Sequence, residues 1–412
     1  MDGIIKSLVV ILLSALLARP SVMECKAADN HLADIEIRET NGINREMEFV
    51  EFSLQIPLTD SNPDLIAIDK NTGEKIVCQL FDKHNFKEEN IALFQVIFPV
   101  SINAHQIKNY DLVKTTEPVS IVTDLSYQGK DLDLIIDNEF YRADLSKSDE
   151  SRGKNHDSGH LRELLLKLGY NIRLFRTGNR MHWGPNFQKK DYVNYETMAG
   201  WDNPKIYRMD TGPYLIHTLR RDLAPEHPEI RLTGNYYFYS GLPYFKFYSS
   251  MEMIKDVWLS LLRNDEMTMD SLFTHVAFQR PNGQIENLAF SERYQTLEEH
   301  HIENNAPWVC FYHADKGYAF GSIRLQYDIK NEEGFASPTY FPYTKISDGE
   351  GGGKYWNRLL IHEFPLFVPT GSRYIEENAY LVFKTGDKDK FSEILKWSRI
   401  LNNPLQIKVT RN

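Results

Sequence analysis

The chain has 412 residues and carries 47 Lys and Arg against 57 Asp and Glu, a net charge of −10 with neutral histidines. That balance excludes a general nucleic-acid binder, because phosphate contacts need a positive surface; it leaves room for a local basic pocket. Aromatic residues make up 12 % of the chain, mainly 22 Tyr and 23 Phe, and such rings either stack ligands at a surface or fill a sandwich core.

The first 27 residues read as a secretory signal peptide. Lys6 follows a short polar start, and an apolar run from Ser7 to Ala18 is too short to cross a bilayer. Cleavage after Ala27 places two small residues, Cys25 and Ala27, where the peptidase reads them. Lipidation at Cys25 is disfavoured because Val22-Met23-Glu24 departs from the Leu-Ala-Gly-like sequence expected there. A secreted or periplasmic protein without membrane insertion is expected. Beyond the leader, Cys78 and Cys310 lie far apart in apolar contexts, so they read as small core residues and not as a disulfide framework. No Asn-X-Ser/Thr sequon occurs, which favours bacterial export.

Residues 28–117 read as a small β-sandwich domain. Phe49–Ile56 is a strand, and Leu65–Asp69 with Ile76–Phe81 forms a hairpin whose turn, Lys70-Asn71-Thr72-Gly73, uses the glycine. Ala92–Val100 adds another strand. No cluster of catalytic residue types appears here, so this part is expected to brace the rest. Lys114-Thr115-Thr116-Glu117-Pro118 marks the boundary. From 118 to 412 short strands recur with turn signals between them, as in an antiparallel sandwich. Thr233–Tyr239 and Tyr244–Met251 pair through Ser240-Gly241-Leu242-Pro243; Leu272–Gln279, Trp308–His313 and Ala319–Tyr327 continue the pattern. Helical spacing appears only at Lys390–Leu401 and near Leu161–Leu168, the latter equally readable as a strand. The fold class is all-β with minor α.

Residues 172–187 hold three arginines, a histidine and a tryptophan in two expected strands around Thr177-Gly178-Asn179. Alternation puts Arg180 and His182 on one face and Met181 and Trp183 on the other. A fixed cation beside an imidazole suits binding an anionic sugar and moving one of its protons; a solvated basic hairpin is the alternative. In the strand from Tyr244, alternation places Tyr244, Lys246, Tyr248 and Glu252 on one face, with Phe245, Phe247 and Met251 on the other. Arg263-Asn264-Asp265-Glu266 is a charged turn ahead of His275. Asp348–Lys354 is a glycine-rich loop in which Tyr355 follows the lysine, so it is no phosphate loop. Trp356-Asn357-Arg358 comes next. No metal site or cofactor is expected. His362-Glu363 lacks the second histidine of a zinc motif, and His300-His301 with Glu303 is a loose cluster; a divalent cation held by residues distant in sequence stays open.

Tyr141-Arg142-Ala143-Asp144-Leu145, followed by Gly159-His160-Leu161-Arg162-Glu163-Leu164, resembles the entry strands of the galactose-mutarotase-like supersandwich. That fold occurs in mutarotases, some glycoside hydrolases and several polysaccharide lyases. The resemblance implies a large supersandwich domain and, by analogy with exo-acting lyases on uronate- and rhamnose-containing glycans, an acidic oligo- or polysaccharide substrate. Elimination from a uronate needs a cation on the carboxylate, a base and an acid. Arg180, with Arg176 in reserve, is assigned to the carboxylate, His182 to the base, and Tyr239 or Tyr248 to the acid. Arg176, Trp183, Lys246, Arg263, Glu266, His275, Trp356 and Arg358 are expected to bind substrate. Two other readings stay open: a glycoside hydrolase using carboxylates among Glu252, Asp265, Glu266, Glu376 and Glu377, and a glycan-binding protein without catalysis.

Overall fold

Val50, Phe52, Leu54 and Ile56 are buried at alternate positions of the strand Arg45–Pro57, while Ser53 and Gln55 face outward. This period of two gives the N-terminal segment its sheet. The computed structural model describes residues 30–59, 63–116, 121–147, 159–201, 204–293, 297 and 301–411. The expected leader, Glu117-Pro118 at the expected boundary, and His300 lie outside them.

The first sheet has seven strands in the order Arg45–Pro57, Ile91–Ile102, Lys75–Phe86, Asp64–Asp69, Ile107–Thr115, His31–Arg38 and Gln406–Arg411. Its two ends share one core containing Ile35, Phe52, Leu54, Leu65, Phe94, Phe98 and Leu112. The last strand corrects the assignment of everything after residue 118 to the larger unit. Val409 pairs with Ile35 and Ile407 with Ile37, so the end of the chain returns to close an edge of the N-terminal sheet. An unpaired edge invites association with other chains. Ile407 and Val409 pack against the core there.

The remainder is built on a nine-stranded sheet ordered Ile206–Thr211, Leu215–Ala224, His227–Tyr239, Tyr244–Met253, Arg373–Lys384, Tyr318–Asp328, Trp308–Tyr312, His275–Gln279 and Ile285–Ala289. Neighbouring strands run antiparallel. A seven-stranded sheet packs on its inner face. That sheet is centred on Val257–Met269, flanked by Asn186–Lys189 and Lys354–Ile361, with Tyr343–Asp348 beyond. Phe187, Leu262, Met267 and Trp356 from one sheet meet Tyr236, Phe247, Phe311, Phe320 and Tyr380 from the other. The rings of Phe311 and Trp356 stand edge to face at 4.8 Å. A five-stranded sheet, Ser126–Lys130 through Ile172–Phe175, joins this core. The all-β class with one clear helix is therefore as expected. The segment near Leu161–Leu168 is a strand, Glu163–Leu166. No helix among the described residues is long and apolar enough to cross a membrane.

The outer face of the nine-stranded sheet is covered by the N-terminal sheet and by the helix Ser392–Leu401. Ile394, Trp397 and Ile400 recur at helical spacing and join Tyr244, Ile323, Leu381, Ile43 and Ile97 in a second core. Trp397 meets Tyr244 at 5.1 Å. Replacing Trp397 with Ala should lower the unfolding free energy by about 3 kcal/mol, the usual cost of emptying a buried aromatic site. Urea unfolding followed by tryptophan-independent far-UV dichroism would measure this, and an unchanged midpoint would show that the helix is only loosely applied.

Candidate functional site

The expected residues fall into three separate groups, with His275 and Arg176 outside them. Arg180, His182, Trp356 and Arg358 lie between the two sheets, enclosed. The segment around His182 is no second strand of a hairpin. Arg176 and Asn179 close a tight turn, and the chain then threads between neighbours on both sides. The N–H groups of Met181 and His182 donate to the carbonyls of Arg162 and Leu161, while Trp183 and Thr268 bond across to Glu266 and Met181. With protein on both flanks, alternation does not offer either face to water. Arg180 donates to the carbonyls of His160 at 2.8 Å and Ser146 at 3.1 Å. His182 shares hydrogen bonds with the hydroxyls of Tyr236 at 2.6 Å and Tyr380 at 3.3 Å, and stacks on His160 at 4.4 Å. Burial, then the nearby Arg220, holds its imidazole down at about 3. An enclosed imidazole with so little basicity is a structural group, and the assignment of His182 as base and Arg180 as carboxylate partner is corrected.

The centre of this buried network is Asp265. The strand Val257–Met269 loses register between Asn264 and Met267, and Asp265 takes φ +44°. A bulge re-aims side chains; here consecutive carboxylates point opposite ways. Asp265 turns inward and accepts from Ser322 Oγ at 3.0 Å, Tyr327 at 2.8 Å, Trp356 Nε1 at 3.1 Å and Tyr380 at 3.3 Å. Its own N–H donates to Glu376 at 2.6 Å, and Glu376 also bonds Ser249 and Asn378. Burial, reinforced by Asp265, pushes Glu376 up to about 8. Arg358 bonds Asn264 and Asn304 and lies over the Tyr327 ring at 3.9 Å. Trp356 and Arg358 thus tie the sheets together and do not line a cleft.

Tyr239, Lys246 and Tyr248 do share a face, as alternation predicts, but it is the outer face of the nine-stranded sheet. They line a cavity of about 260 Å³ under the N-terminal sheet, with Glu51, Gln95 and Glu377. Tyr239 donates to Glu51 at 3.1 Å, and Lys246 sits 4.0 Å from Glu377. The sheet itself separates these tyrosines from His182, so the expected acid and base never meet. His275 is apart from both, stacked on Tyr312 at 5.1 Å. Arg176 pairs with Asp270 at 3.1 Å.

Three expected residues come together on the outer face of the seven-stranded sheet. Glu266, sent outward by the bulge, accepts from Asn186 at 2.6 Å and pairs with Arg263 at 3.5 Å. Arg263 lies over the Tyr195 ring at 5.1 Å, and Trp183 meets the same ring at 5.6 Å. Alternation along Lys354–Ile361 sends Trp356 and Arg358 inward and Tyr355 and Asn357 outward. Next to them is a cavity of about 590 Å³ lined by Arg293, His301, Tyr343, Lys345, Ser347, Asp348 and Tyr355. His301 stacks on Tyr343 at 4.0 Å. Ser347 pairs with Tyr355 in register, and Lys345 with Asn357. Ser347 Oγ and Asn357 Oδ1 are buried without a hydrogen-bond partner among the described residues. Sequence reasoning passed over Tyr343, Lys345 and Ser347, and named Asn357 only within Trp356-Asn357-Arg358. The available signal was the polar alternation Tyr343, Lys345, Ser347 around apolar Ile346.

One group has metal-ligand spacing among the described residues: His31, Asp34 and Asp111. Lys70 already bridges both carboxylates there.

No family model and no curated protein matches the sequence. Solved structures do. An α-mannosidase from Enterococcus faecalis V583 matches at 10 % identity with a TM-score of 0.55, over 92 % of this chain and 46 % of that one. A glycosyl hydrolase family 38 protein from Enterococcus faecalis matches at 10 % identity with a TM-score of 0.52, over 92 % and 47 %. A galactose mutarotase-like protein from Lactobacillus casei ATCC 334 matches at 10 % identity and a TM-score of 0.36, over 60 % and 99 %. The chain spans about half the length of the first two, and at this identity the likeness is one of fold.

The buried network makes stability depend on pH in a defined direction. Glu376 keeps its proton in the folded protein up to about 8, against an ordinary 4.5. Folding is therefore progressively disfavoured as pH rises through that window, because the unfolded chain releases the proton first. His182 acts oppositely: its pKa is depressed, so stability falls as pH drops from 6.5 toward 3. In thermal melts, Glu376→Gln should gain on wild type steadily between pH 5 and pH 8. A Tm difference independent of pH would mean that Glu376 is ionised in the fold.

Proposed function

We propose that this protein is carbohydrate-active and that its glycan binds the outer face of the seven-stranded sheet. The observation that carries this reading is a cavity walled by the rings of Tyr343, His301 and Tyr355 together with the polar side chains of Lys345, Ser347 and Asp348. Pyranose rings present hydroxyls at their edges and C–H faces to aromatic rings, so they match both features at once. The fold shared with the α-mannosidase and the glycosyl hydrolase family 38 protein agrees with a sugar ligand. Arg263, Arg293 and Lys345 stand against Glu266 and Asp348 on this side of the sheet, which favours an anionic sugar.

Hydrolysis is the second reading. The carboxylates available to it are Asp348, which lines the cavity, and Glu266 beside Arg263; glycosidases ordinarily employ a carboxylate pair. Elimination from a uronate, now that His182 is enclosed, falls to His301 beside Tyr343.

Calorimetric titration with a panel of neutral and acidic oligosaccharides tests the binding site. Tyr343→Ala should weaken the ligand that binds by roughly tenfold, the value of an aromatic contact near 1.4 kcal/mol. Tyr248→Ala, on the far side of the nine-stranded sheet, should leave affinity within twofold. The same incubations, read for new reducing ends and for the ultraviolet absorbance of an unsaturated uronate, separate hydrolysis, elimination and binding without turnover. Equal losses in the Tyr343 and Tyr248 variants would move the site off this face.

A further inference from the structure

The 590 Å³ cavity does not end at Tyr343. That ring stands edge to face with His362 at 5.1 Å, and His362 meets Tyr340 in the same way at 5.5 Å. Tyr340 in turn touches Phe341 at 4.9 Å and Phe364 at 5.8 Å. The outermost rings are held in water: Phe341 is 75 % exposed and Phe364 is 62 % exposed. Large apolar side chains in a contiguous exposed group mark an interaction site. Two backbone outliers coincide with them. Phe341 has φ +42° and Glu363, next to Phe364, has φ +67°. Non-glycine residues avoid this left-handed region, and such strain persists where the surroundings over-determine it, most often at ligand sites. Here His362 Nε2 bonds the carbonyl of Phe341 at 3.1 Å, which locks the two strained loops to each other. The strip is therefore a fixed surface.

We infer that the glycan is a chain longer than one sugar, and that Tyr340, Phe341 and Phe364 form the subsite for the residues that leave the cavity past Tyr343. This rests on the cavity being the glycan site proposed above. The occupant is identified by continuity. The ring-to-ring steps from His301 through Tyr343, His362 and Tyr340 run unbroken from the cavity to the strip, on the scale of successive sugar rings. Buried His362 holds the flanking rings in place, and the exposed rings of Phe341 and Phe364 offer apolar platforms for a pyranose C–H face. Glu363, 3.7 Å from His362, is the charged side chain at this strip; the rings themselves contribute stacking along the chain.

The test uses the full-length protein and two ladders, manno-oligosaccharides and oligogalacturonides, each from monomer to hexamer, by calorimetric titration. Affinity should rise with length in the ladder that binds. The double variant Phe341→Ala/Phe364→Ala, confined to exposed side chains, should lose roughly tenfold in affinity for the hexamer and stay within twofold for the monomer. Equal affinity at every length, or equal loss for monomer and hexamer in the variant, would overturn the subsite and leave the cavity reading intact. Failure of both ladders at every length would remove the cavity reading and the subsite with it. Sedimentation velocity adds one further arm: a dimer of wild type that the double variant abolishes would give the strip to a second copy of the chain and overturn the inference.

Discussion

Asp265 is where the two sheets of the larger unit are tied together. A carboxylate taken out of water is costly unless its oxygens are met by donors. Trp356 reaches it from the seven-stranded sheet, and Ser322, Tyr327 and Tyr380 reach it from the nine-stranded sheet. Apolar packing between sheets tolerates sliding, whereas this set of donors has one arrangement. The same hydrogen-bonded chain continues through Tyr380 to His182, Tyr236 and His160. A residue set that resembles catalytic machinery by type is in this protein the device that holds the sandwich in register.

The bulge that aims Asp265 inward also aims Glu266 outward. Structure and candidate site therefore depend on one local irregularity in the strand Val257–Met269. On the inner side it meets the buried donors; on the outer side it sets Glu266 beside Arg263 and Asn186. Lys354–Ile361, paired with that strand, repeats the division. Trp356 and Arg358 serve the interior, and Tyr355 and Asn357 serve the outer face. The outer face is covered by neither the N-terminal sheet nor the C-terminal helix, since among the described residues both pack on the nine-stranded sheet.

Buried polar atoms without a hydrogen-bond partner among the described residues occur in both regions, His160 Nε2 and Arg324 Nε inside the sandwich and Ser347 Oγ and Asn357 Oδ1 in the strands of the outer face. Inside the sandwich, Asp265 and Glu376 are met by several donors each, and such a network rigidifies a fold. Beyond Ser347 and Asn357, aromatic side chains lie exposed on loops with left-handed residues. Solvent-held rings are a feature that folding alone does not favour.

From the sequence by itself, period-two alternation determined which residues share a strand face. Tyr244, Lys246 and Tyr248 oppose Phe245 and Phe247 as the pattern requires, and the helix near Lys390–Leu401 follows from its spacing. The hairpin of Asp64–Asp69 with Lys75–Phe86 was equally legible from its glycine turn. Alternation says nothing about what covers a face. Only the tertiary structure decided that Arg180 and His182 are enclosed, that Tyr239 and Tyr248 lie under the N-terminal sheet, and that the chain's last strand joins the first. A one-residue bulge at Asp265 reverses every assignment downstream of it, and no local signal in Arg263-Asn264-Asp265-Glu266 announces it. Side-chain direction is a property of the strand, but burial is a property of the neighbour packed against it, and that neighbour is chosen by contacts hundreds of residues apart.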